Sequence, residues 1–239
     1  KIKEEVKVEA AQLVEENHIT PGLAVILVGS DAASATYVAS KAKSCKNAGI
    51  YSVVHEMPDS ITQEELLKTI EMMNKNPKLD GILVQLPLPK HIDTTIVLEA
   101  INPLKDVDGF HPYNVGRMVS NLDSFLPATP FGVMRMFEEY GIELSGKNVV
   151  VIGSSDIVGK PMASLLINAK ATVTVCNSRT KDLASHTKAA DIVVIAVGVP
   201  YLLKADMIKE GAIVIDVGIN RLDTGKLVGD ADFEDCKSK

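Results

Sequence analysis

Three side chains suited to acid–base chemistry share one face of a predicted helix. Ser34, Tyr37 and Lys41 follow one another at intervals of three and four residues, which places them on the same helical face. A lysine partly removed from water can shift toward its neutral form and act as a general acid or base. The alternative is an ordinary solvated lysine, which is what we expect of the neighbouring Lys43 and Lys46.

Two further polar residues stand out beside apolar segments. Gln85 interrupts an apolar strand end, and a buried amide needs hydrogen-bond partners, so it either satisfies nearby backbone or orients a catalytic side chain. Asp108 lies in an Asp-Gly turn, where a carboxylate can accept paired N–H groups from a heterocycle resembling guanine or pterin. Forming the turn is an equally good reason for this aspartate, and both alternatives stay open.

A glycine-containing turn joins a predicted strand to a helix in the C-terminal half. Gly153 and Gly159 bound this segment, and such a turn can bring a pyrophosphate to free N–H groups at a helix start. The spacing departs from GxGxxG, because Ser155 replaces the middle glycine and the last glycine comes one residue later. The segment predicts either a dinucleotide site or a plain strand–helix turn.

The end of the next strand bears on which dinucleotide would bind. NAD sites usually place an acidic residue there to bind the ribose hydroxyls, whereas this sequence reads CNSRT at 176–180. Ser178 and Arg179 suit a 2′-phosphate, which favours NADP over NAD. The alternative is that Arg179 is an ordinary solvent-exposed side chain on a turn and binds no ligand.

Short apolar runs and helical patterns alternate along the whole chain. Strands are predicted at 23–28, 51–55, 82–86, 148–152, 171–176, 191–197 and 212–217. Helices are predicted near 2–17, 34–47, 62–74, 94–101, 133–140 and 159–168. The proline-containing segment Asn102–Pro130 is predicted to be an irregular connection between domains. This alternation indicates an α/β protein with largely parallel sheets.

Composition excludes several function classes. Hydrophobic residues make up 46% of the chain, enough for a packed core, and the net charge of −6 with no basic run argues against nucleic-acid binding. The longest apolar stretch, 192–203, is broken by a glycine and a proline and is too short to span a bilayer. The first residues show no signal-peptide pattern. Cys45, Cys176 and Cys236 lack disulfide or zinc spacing, so we expect a cytoplasmic protein without a metal site.

Ordered blocks along nearly the whole chain resemble one known family, the bifunctional methylenetetrahydrofolate dehydrogenase/methenyltetrahydrofolate cyclohydrolases. The blocks lie at 34–41, 84–89, 105–112, 127–132, 153–161, 171–176, 214–220 and 229–233. The resemblance implies two α/β domains with a cleft between them. We expect a folate-binding catalytic domain at 1–130 and a Rossmann-like NADP-binding domain at 131–239.

The same resemblance implies two linked reactions in one-carbon metabolism, which supplies purine biosynthesis. Oxidation of methylenetetrahydrofolate with NADP gives methenyltetrahydrofolate, and hydrolysis then gives formyltetrahydrofolate. We expect NADP as cofactor with NAD as the alternative, tetrahydrofolate derivatives as substrates, a homodimer in the cytoplasm, and no nucleic-acid or membrane partner. A monofunctional member of the family and a non-catalytic NADP-binding module are the competing hypotheses.

Roles for individual residues also follow from the resemblance. Lys41 is implied to be the acid/base of the hydrolysis, with Gln85 holding it in place. Tyr37 is implied to pack against the folate and Asp108 to anchor the pterin. The implied substrate-binding residues are Ser34, Tyr37, Leu86, Pro87 and Asp108. The implied cofactor-binding residues are Gly153, Ser154, Ser155, Ile157, Gly159, Ser178, Arg179 and Ile219.

The sequence departs from the family pattern at several places. Ser154 stands where the family commonly has arginine, and Asn177 stands where it commonly has histidine, so the preference for NADP over NAD is open. The family's Pro-Cys-Thr-Pro reads PATP at 127–130. Family members continue past the 229–233 block to a loop over the substrates and a final helix, and we expect both to be absent from this chain.

Overall fold

The computed structural model describes residues 1–31 and 34–239 in full, and residues 32 and 33 by their backbone. Contacts between residues divide the chain into two compact units, Lys1–Asn114 and Val115–Lys239. Each unit contains a parallel sheet with helices in the connections between its strands. The predicted α/β class with parallel sheets is therefore confirmed.

The first unit is built on a three-stranded parallel sheet in the order β2-β1-β3. Its strands are β1 (Gly22–Val28), β2 (Tyr51–Met57) and β3 (Gly81–Val84). Its helices are α1 (Ile2–Asn17), α2 (Ala32–Ala48), α3 (Gln63–Lys75) and α4 (Thr94–Glu99). Parallel strands require a crossover between them, and α2 and α3 occupy the two crossovers.

The core of the first unit explains why these segments form these elements. β1 is buried over nearly its whole length, which accounts for its continuous apolar sequence. Leu66 and Ile70 lie on one face of α3 and pack in the same cluster as Ile82 of β3. The Thr62 hydroxyl and the Glu65 carboxylate exchange hydrogen bonds with each other's backbone N–H groups, so α3 begins with the capping box that the sequence predicts.

The second unit is built on a four-stranded parallel sheet in the order β5-β4-β6-β7, beside a small antiparallel hairpin of β8 and β9. Its strands are β4 (Asn148–Ile152), β5 (Thr172–Cys176), β6 (Ile192–Ile195), β7 (Ile213–Asp216), β8 (Asn220–Arg221) and β9 (Leu227–Val228). The helices from residue 112 onward are α5 (Pro112–Val119), α6 (Ala128–Glu139), α7 (Gly159–Asn168), α8 (Leu183–Thr187) and α9 (Phe233–Cys236).

The register of the second sheet brings four strand ends together. Ile152 at the end of β4 pairs with Cys176 of β5 and with Ile195 of β6. Ile195 pairs in turn with Asp216, the last residue of β7. The loops that follow these strands therefore start at the same edge of the sheet, where ligands of open α/β sheets bind.

The structure corrects the prediction for Asn102–Pro130. This segment is not wholly irregular, because it contains α5 and the start of α6. Pro112 and Pro130 lie in the first turns of these helices, where a missing N–H group breaks no intrahelical hydrogen bond. Two of the four prolines that suggested a loop, Pro112 and Pro130, are in fact helix-start residues. The short elements α8, β8, β9 and α9 were not predicted, since segments of two to five residues carry little periodicity.

Within the described residues, no helix combines the length and the apolar character that crossing a bilayer requires.

A buried hydroxyl joins α8 to the segment before β7 and gives a test of this packing. The Thr187 side chain is fully buried, and its hydroxyl donates to the Met207 carbonyl oxygen at 2.6 Å. We expect Thr187→Val to lower the unfolding free energy by about 1 to 3 kcal/mol, because the Met207 carbonyl oxygen loses this donor. Urea denaturation measures the change. Thr187→Ser is the control, since it keeps the hydroxyl, and an equal loss in both variants would contradict the assignment.

Candidate active site

A lysine on α2 is held by an amide that follows β3. The Lys41 Nζ donates to Oε1 of Gln85 at 3.1 Å, although the two residues are far apart in the sequence. The Gln85 backbone N–H donates to the Ile26 carbonyl oxygen of β1, and its Nε2 donates to the Leu86 carbonyl oxygen, both at 2.9 Å. Because Nε2 is occupied by a carbonyl, Oε1 is the atom left to face the lysine.

The turn that carries Asp108 is organised by a buried carboxylate. The Asp106 side chain is 1% exposed and accepts hydrogen bonds from the His111 backbone N–H and from Nδ2 of Asn114, both at 2.9 Å. The Gly109 N–H donates to the Asp106 carbonyl oxygen with a positive φ of 65°. An aspartate two residues before Asp108 therefore fixes the backbone on which Asp108 stands.

Asp108 and Lys41 belong to one electrostatic cluster. Burial raises the pKa of Asp108 from its ordinary 3.8 to about 6, the charge of Lys41 acts in the opposite direction, and the charge of Asp106 adds to the increase. The cluster thus combines a nitrogen that can exchange protons, an amide that orients it, and a carboxylate that is ionised above about pH 6. Such a set can bind N–H donors and transfer a proton.

The other predicted residues of the first unit lie near this cluster in sequence but differ in exposure. Ser34 is buried, and its backbone N–H donates to the Asp31 carboxylate in the first turn of α2. Tyr37 is 51% exposed and presents its ring at the surface of the unit. Leu86 is half-buried and Pro87 is exposed, just beyond the end of β3. Tyr37 and Pro87 are thus accessible to a ligand.

The second unit has a glycine turn at the junction of β4 and α7. Gly153 has a φ of 118°, and a Cβ atom on it would lie 2.4 Å from the Ala196 carbonyl oxygen. A Cβ on Gly159 would lie 2.1 Å from the Gly153 carbonyl oxygen. Both positions require glycine, because the helix start and the strand end approach each other closely.

Some N–H groups of this turn donate to an acceptor within the protein, and others have no acceptor among the described residues. The Ser155 hydroxyl accepts from the N–H groups of Val158 and Gly159, at 3.2 and 3.3 Å. In the described part of the chain, no acceptor is placed on the N–H groups of 154–157. The sequence predicted free N–H groups at the helix start, but two of them donate to the Ser155 hydroxyl. The consecutive donors of 154–157 are available to a pyrophosphate.

The loop after β5 lies against the same turn. The Gly153 N–H donates to the Cys176 carbonyl oxygen at 2.8 Å. Asn177 closes the loop, since its N–H donates to the Thr180 hydroxyl and its Oδ1 accepts from the Arg179 N–H, both at 2.9 Å. Ser178 and Arg179 are exposed, so both side chains are accessible to a phosphate.

The remaining predicted cofactor residues are also accessible. Ser154 is half-buried and Ile157 is 42% exposed, both within the glycine turn. Ile219 is 67% exposed and lies in the loop between β7 and β8. The second unit therefore carries all of these residues in the loops that follow its parallel strands.

Sequence reasoning missed three polar residues at the edge where these strands end. They are Asp216, Asn220 and Asp230, which share a network of hydrogen bonds with the loops after β6 and β7. A carboxylate at the end of an apolar strand, Asp216 of β7, was the available signal.

The two units define a class of protein. The glycine turn at a strand–helix junction of the second unit is typical of dinucleotide-binding α/β domains, and the lysine–amide–carboxylate cluster of the first unit is suited to proton transfer. A family model described as the tetrahydrofolate dehydrogenase/cyclohydrolase catalytic domain matches residues 1–108. The model for the NAD(P)-binding domain of the same family matches 127–239. The chain belongs to the tetrahydrofolate dehydrogenase/cyclohydrolase family, which confirms the resemblance found in the sequence.

Individual relatives agree over the whole chain. The bifunctional protein FolD of Aliarcobacter butzleri is 87% identical over 239 residues, which are 100% of this chain and 83% of the relative. A crystal structure of FolD from Campylobacter jejuni is 53% identical with a TM-score of 0.97, covering 100% of this chain and 84% of the other. FolD from Trypanosoma brucei, complexed with NADP and an inhibitor, is 39% identical with a TM-score of 0.93, covering 98% and 83%.

The raised pKa of Asp108 predicts a pH-dependent cost of folding. The folded state binds the proton more tightly than the unfolded state, so ionisation of Asp108 disfavours folding as the pH rises from about 4 to 6. Asp108→Asn removes this cost. Between pH 4 and 7, we expect the unfolding free energy of Asp108→Asn to rise by about 2 kcal/mol relative to that of wild type. The reason is that only the wild type must ionise a largely buried carboxylate in this range. Urea denaturation across this range measures the difference, and a pH-independent difference would contradict it.

Proposed function

We propose that the protein catalyses two successive reactions on one-carbon derivatives of tetrahydrofolate. The first oxidises methylenetetrahydrofolate to methenyltetrahydrofolate with NADP, and the second hydrolyses methenyltetrahydrofolate to formyltetrahydrofolate. The observation that carries this proposal is the hydrogen bond from Lys41 Nζ to Gln85 Oε1 at 3.1 Å, in a chain of this family.

Lys41 is proposed as the acid/base of the hydrolysis. Methenyltetrahydrofolate is a cation whose methenyl carbon is attacked by water, and an amine beside that carbon is suited to take the proton that the water loses. Lys41 accepts a proton as water adds to the methenyl carbon, and a proton is delivered to the ring nitrogen when its bond to that carbon breaks. Gln85 keeps the amine in place for both transfers.

Asp108 and Tyr37 are proposed to bind the folate. With its pKa raised to about 6, Asp108 is mainly ionised at neutral pH and can accept two N–H groups from the pterin. The Tyr37 ring is 51% exposed and offers an aromatic face to the folate. Ser34, Leu86 and Pro87 are proposed to complete the substrate-binding surface around them.

The second unit is proposed to hold NADP. The fit is supported by the two glycines that tolerate no Cβ and by the consecutive N–H groups of 154–157 that lack an acceptor among the described residues. We propose that Gly153, Ser154, Ser155, Ile157 and Gly159 surround its pyrophosphate and ribose, with Ile219 nearby. When bound, NADP supplies the acceptor for the hydride of the methylene group.

A preference for NADP over NAD is proposed to depend on the loop after β5. Ser178 and Arg179 are exposed there, and the loop contains no carboxylate for ribose hydroxyls. Asn177 holds the Arg179 N–H at 2.9 Å, which fixes the backbone beneath the guanidinium group. A planar guanidinium group can bind a phosphate through two hydrogen bonds. We therefore propose that Arg179 supplies the phosphate contact that the family's arginine would make at the position of Ser154.

We further propose that the protein acts as a homodimer in the cytoplasm. The dimer is supported by the family resemblance, and light scattering of the purified chain tests it. Cys45, Cys176 and Cys236 are free thiols, and burial raises the pKa of Cys176 and Cys236. Unpaired thiols are typical of a reducing compartment.

Replacement of Lys41 tests the hydrolytic role directly. We expect Lys41→Met to lower the hydrolysis of methenyltetrahydrofolate at least about 100-fold, because it removes the proton-transferring amine. Reduction of NADP by methylenetetrahydrofolate stays measurable, since it requires no amine at this position. The absorbance of methenyltetrahydrofolate and of NADPH reports the two rates separately.

The control is Lys43→Met, on the same helix with an exposed side chain. It should leave both rates within about twofold of wild type, because a solvated surface lysine contributes little. An equal loss of both activities in folded Lys41→Met would contradict the role assigned to Lys41.

Replacement of Arg179 tests the cofactor preference. We expect Arg179→Ala to raise the KM for NADP about tenfold and to leave the KM for NAD unchanged, because only NADP has the 2′-phosphate. Initial rates with methylenetetrahydrofolate and either cofactor measure both constants. Lys188→Ala removes an exposed positive charge elsewhere in the unit and serves as the control. A parallel rise in both KM values would be inconsistent with phosphate recognition.

A further inference from the structure

A fully buried carboxylate connects the loops at the carboxyl edge of the second sheet. Asp230 is 0% exposed, and its Oδ2 accepts from the backbone N–H groups of Val197 and Gly198, at 2.6 and 3.0 Å. Its Oδ1 accepts from Nδ2 of Asn220 at 2.8 Å. A Cβ on Gly218 would lie 2.1 Å from the Asp230 carboxyl carbon, so the fit around this group is tight.

A second carboxylate fixes the backbone of Asp230 itself. Oδ1 of Asp216, at the end of β7, accepts from the N–H groups of Gly218 and Asp230, both at 3.0 Å. Its Oδ2 accepts from the Ala231 N–H at 2.9 Å. The two carboxylates therefore hold three segments together: the loop after β6, the loop after β7, and 229–231.

The strand order identifies which part of a dinucleotide lies near these segments. In such folds the pyrophosphate binds at the first strand–helix turn, and the adenosine ribose binds at the end of the next strand. These places correspond to Gly153 after β4 and to Ser178 after β5. Because β6 and β7 lie on the other side of β4, their loops face the other half of the dinucleotide, which is the nicotinamide half.

Asp230 also decides the orientation of the Asn220 side chain. A carboxylate only accepts hydrogen bonds, so Nδ2 of Asn220 must face it and Oδ1 must face away. No described residue donates to Asn220 Oδ1. A Cβ placed on Gly198 would still be 4.0 Å from this oxygen, which leaves space beside it. The result is a fixed acceptor on the nicotinamide side of the unit, with no donor among the described residues.

We propose that Asn220 Oδ1 accepts a hydrogen bond from the carboxamide N–H2 group of the nicotinamide, and that Asp230 is the positioning residue that orients it. This inference rests on the proposed binding of NADP and deepens it. Asp230 acts through Asn220 and through the backbone of Val197 and Gly198, and it makes no contact with the cofactor.

The test compares NADP with its 3-acetylpyridine analogue, in which a methyl group replaces the carboxamide N–H2. In Asp230→Asn, the residue keeps its size and an oxygen for the two backbone N–H groups, but it presents an N–H2 group to Asn220. The Asn220 amide then rotates and turns its N–H2 group outward. We expect the Kd for NADP to rise about tenfold and the Kd for the analogue to stay within about twofold.

A double variant should reverse the effect. In Asp230→Asn with Asn220→Asp, the amide at 230 donates to one carboxylate oxygen at 220, and the other oxygen faces outward as an acceptor. We expect the ratio of the analogue's Kd to the Kd of NADP to recover at least half of the loss that Asp230→Asn causes. Where Asp230→Asn does not fold, Asn220→Ala replaces it, because this variant leaves the backbone hydrogen bonds of Asp230 in place.

The control is Asp191→Asn, at the opposite end of the same sheet. Asp191 accepts from the Asn148 N–H at 2.8 Å and pairs with Lys209, so its replacement weakens the same unit away from the proposed site. It should leave the ratio of the two Kd values unchanged. Equal weakening of NADP and the analogue in Asp230→Asn, or no weakening of either, would overturn the inference. Failure of the wild-type protein to bind NADP would instead overturn the proposed function.

Discussion

Parallel strands constrain where chemistry can occur in this protein. Each parallel pair needs a crossover, and the crossover leaves the carboxyl end of one strand in a loop that leads into a helix. In the first unit, this places Lys41 on α2 and Gln85 after β3 within 3.1 Å of each other. In the second unit, it places the glycine turn and the loop after β5 in contact. The positions of the functional residues therefore depend on the edge at which the carboxyl ends of the parallel strands meet.

Aspartate carboxylates that accept backbone N–H groups serve the same purpose in both units. Asp106 accepts N–H groups in the first unit, and Asp216 and Asp230 accept them in the second. A loop cannot satisfy its N–H groups by pairing with a neighbouring strand, so a carboxylate supplies the missing acceptors. These aspartates hold a loop in one conformation, and Asp108 or Asn220 can then present a polar group from a fixed backbone.

The sequence was most informative where local physics decides the outcome. The apolar run of β1 and the capping box at Thr62 predicted a buried strand and a helix start, and both were confirmed. It was misleading at Pro112 and Pro130, since a proline in a first helical turn has the same local signature as a proline in a loop. The short hairpin of β8 and β9 offered no periodic pattern to detect.

For the candidate site, the sequence by itself determined residue types, their order along the chain, and the common helical face of Ser34, Tyr37 and Lys41. It also determined family membership, because ordered blocks over a whole chain do not agree by chance. Only the tertiary structure decided which distant residues meet. The orientation of the Gln85 amide, the raised pKa of Asp108 and the burial of Asp230 each depend on neighbours brought close by folding. Hydrogen bonding and desolvation act over a few ångströms in space, a distance that separation along the chain does not specify.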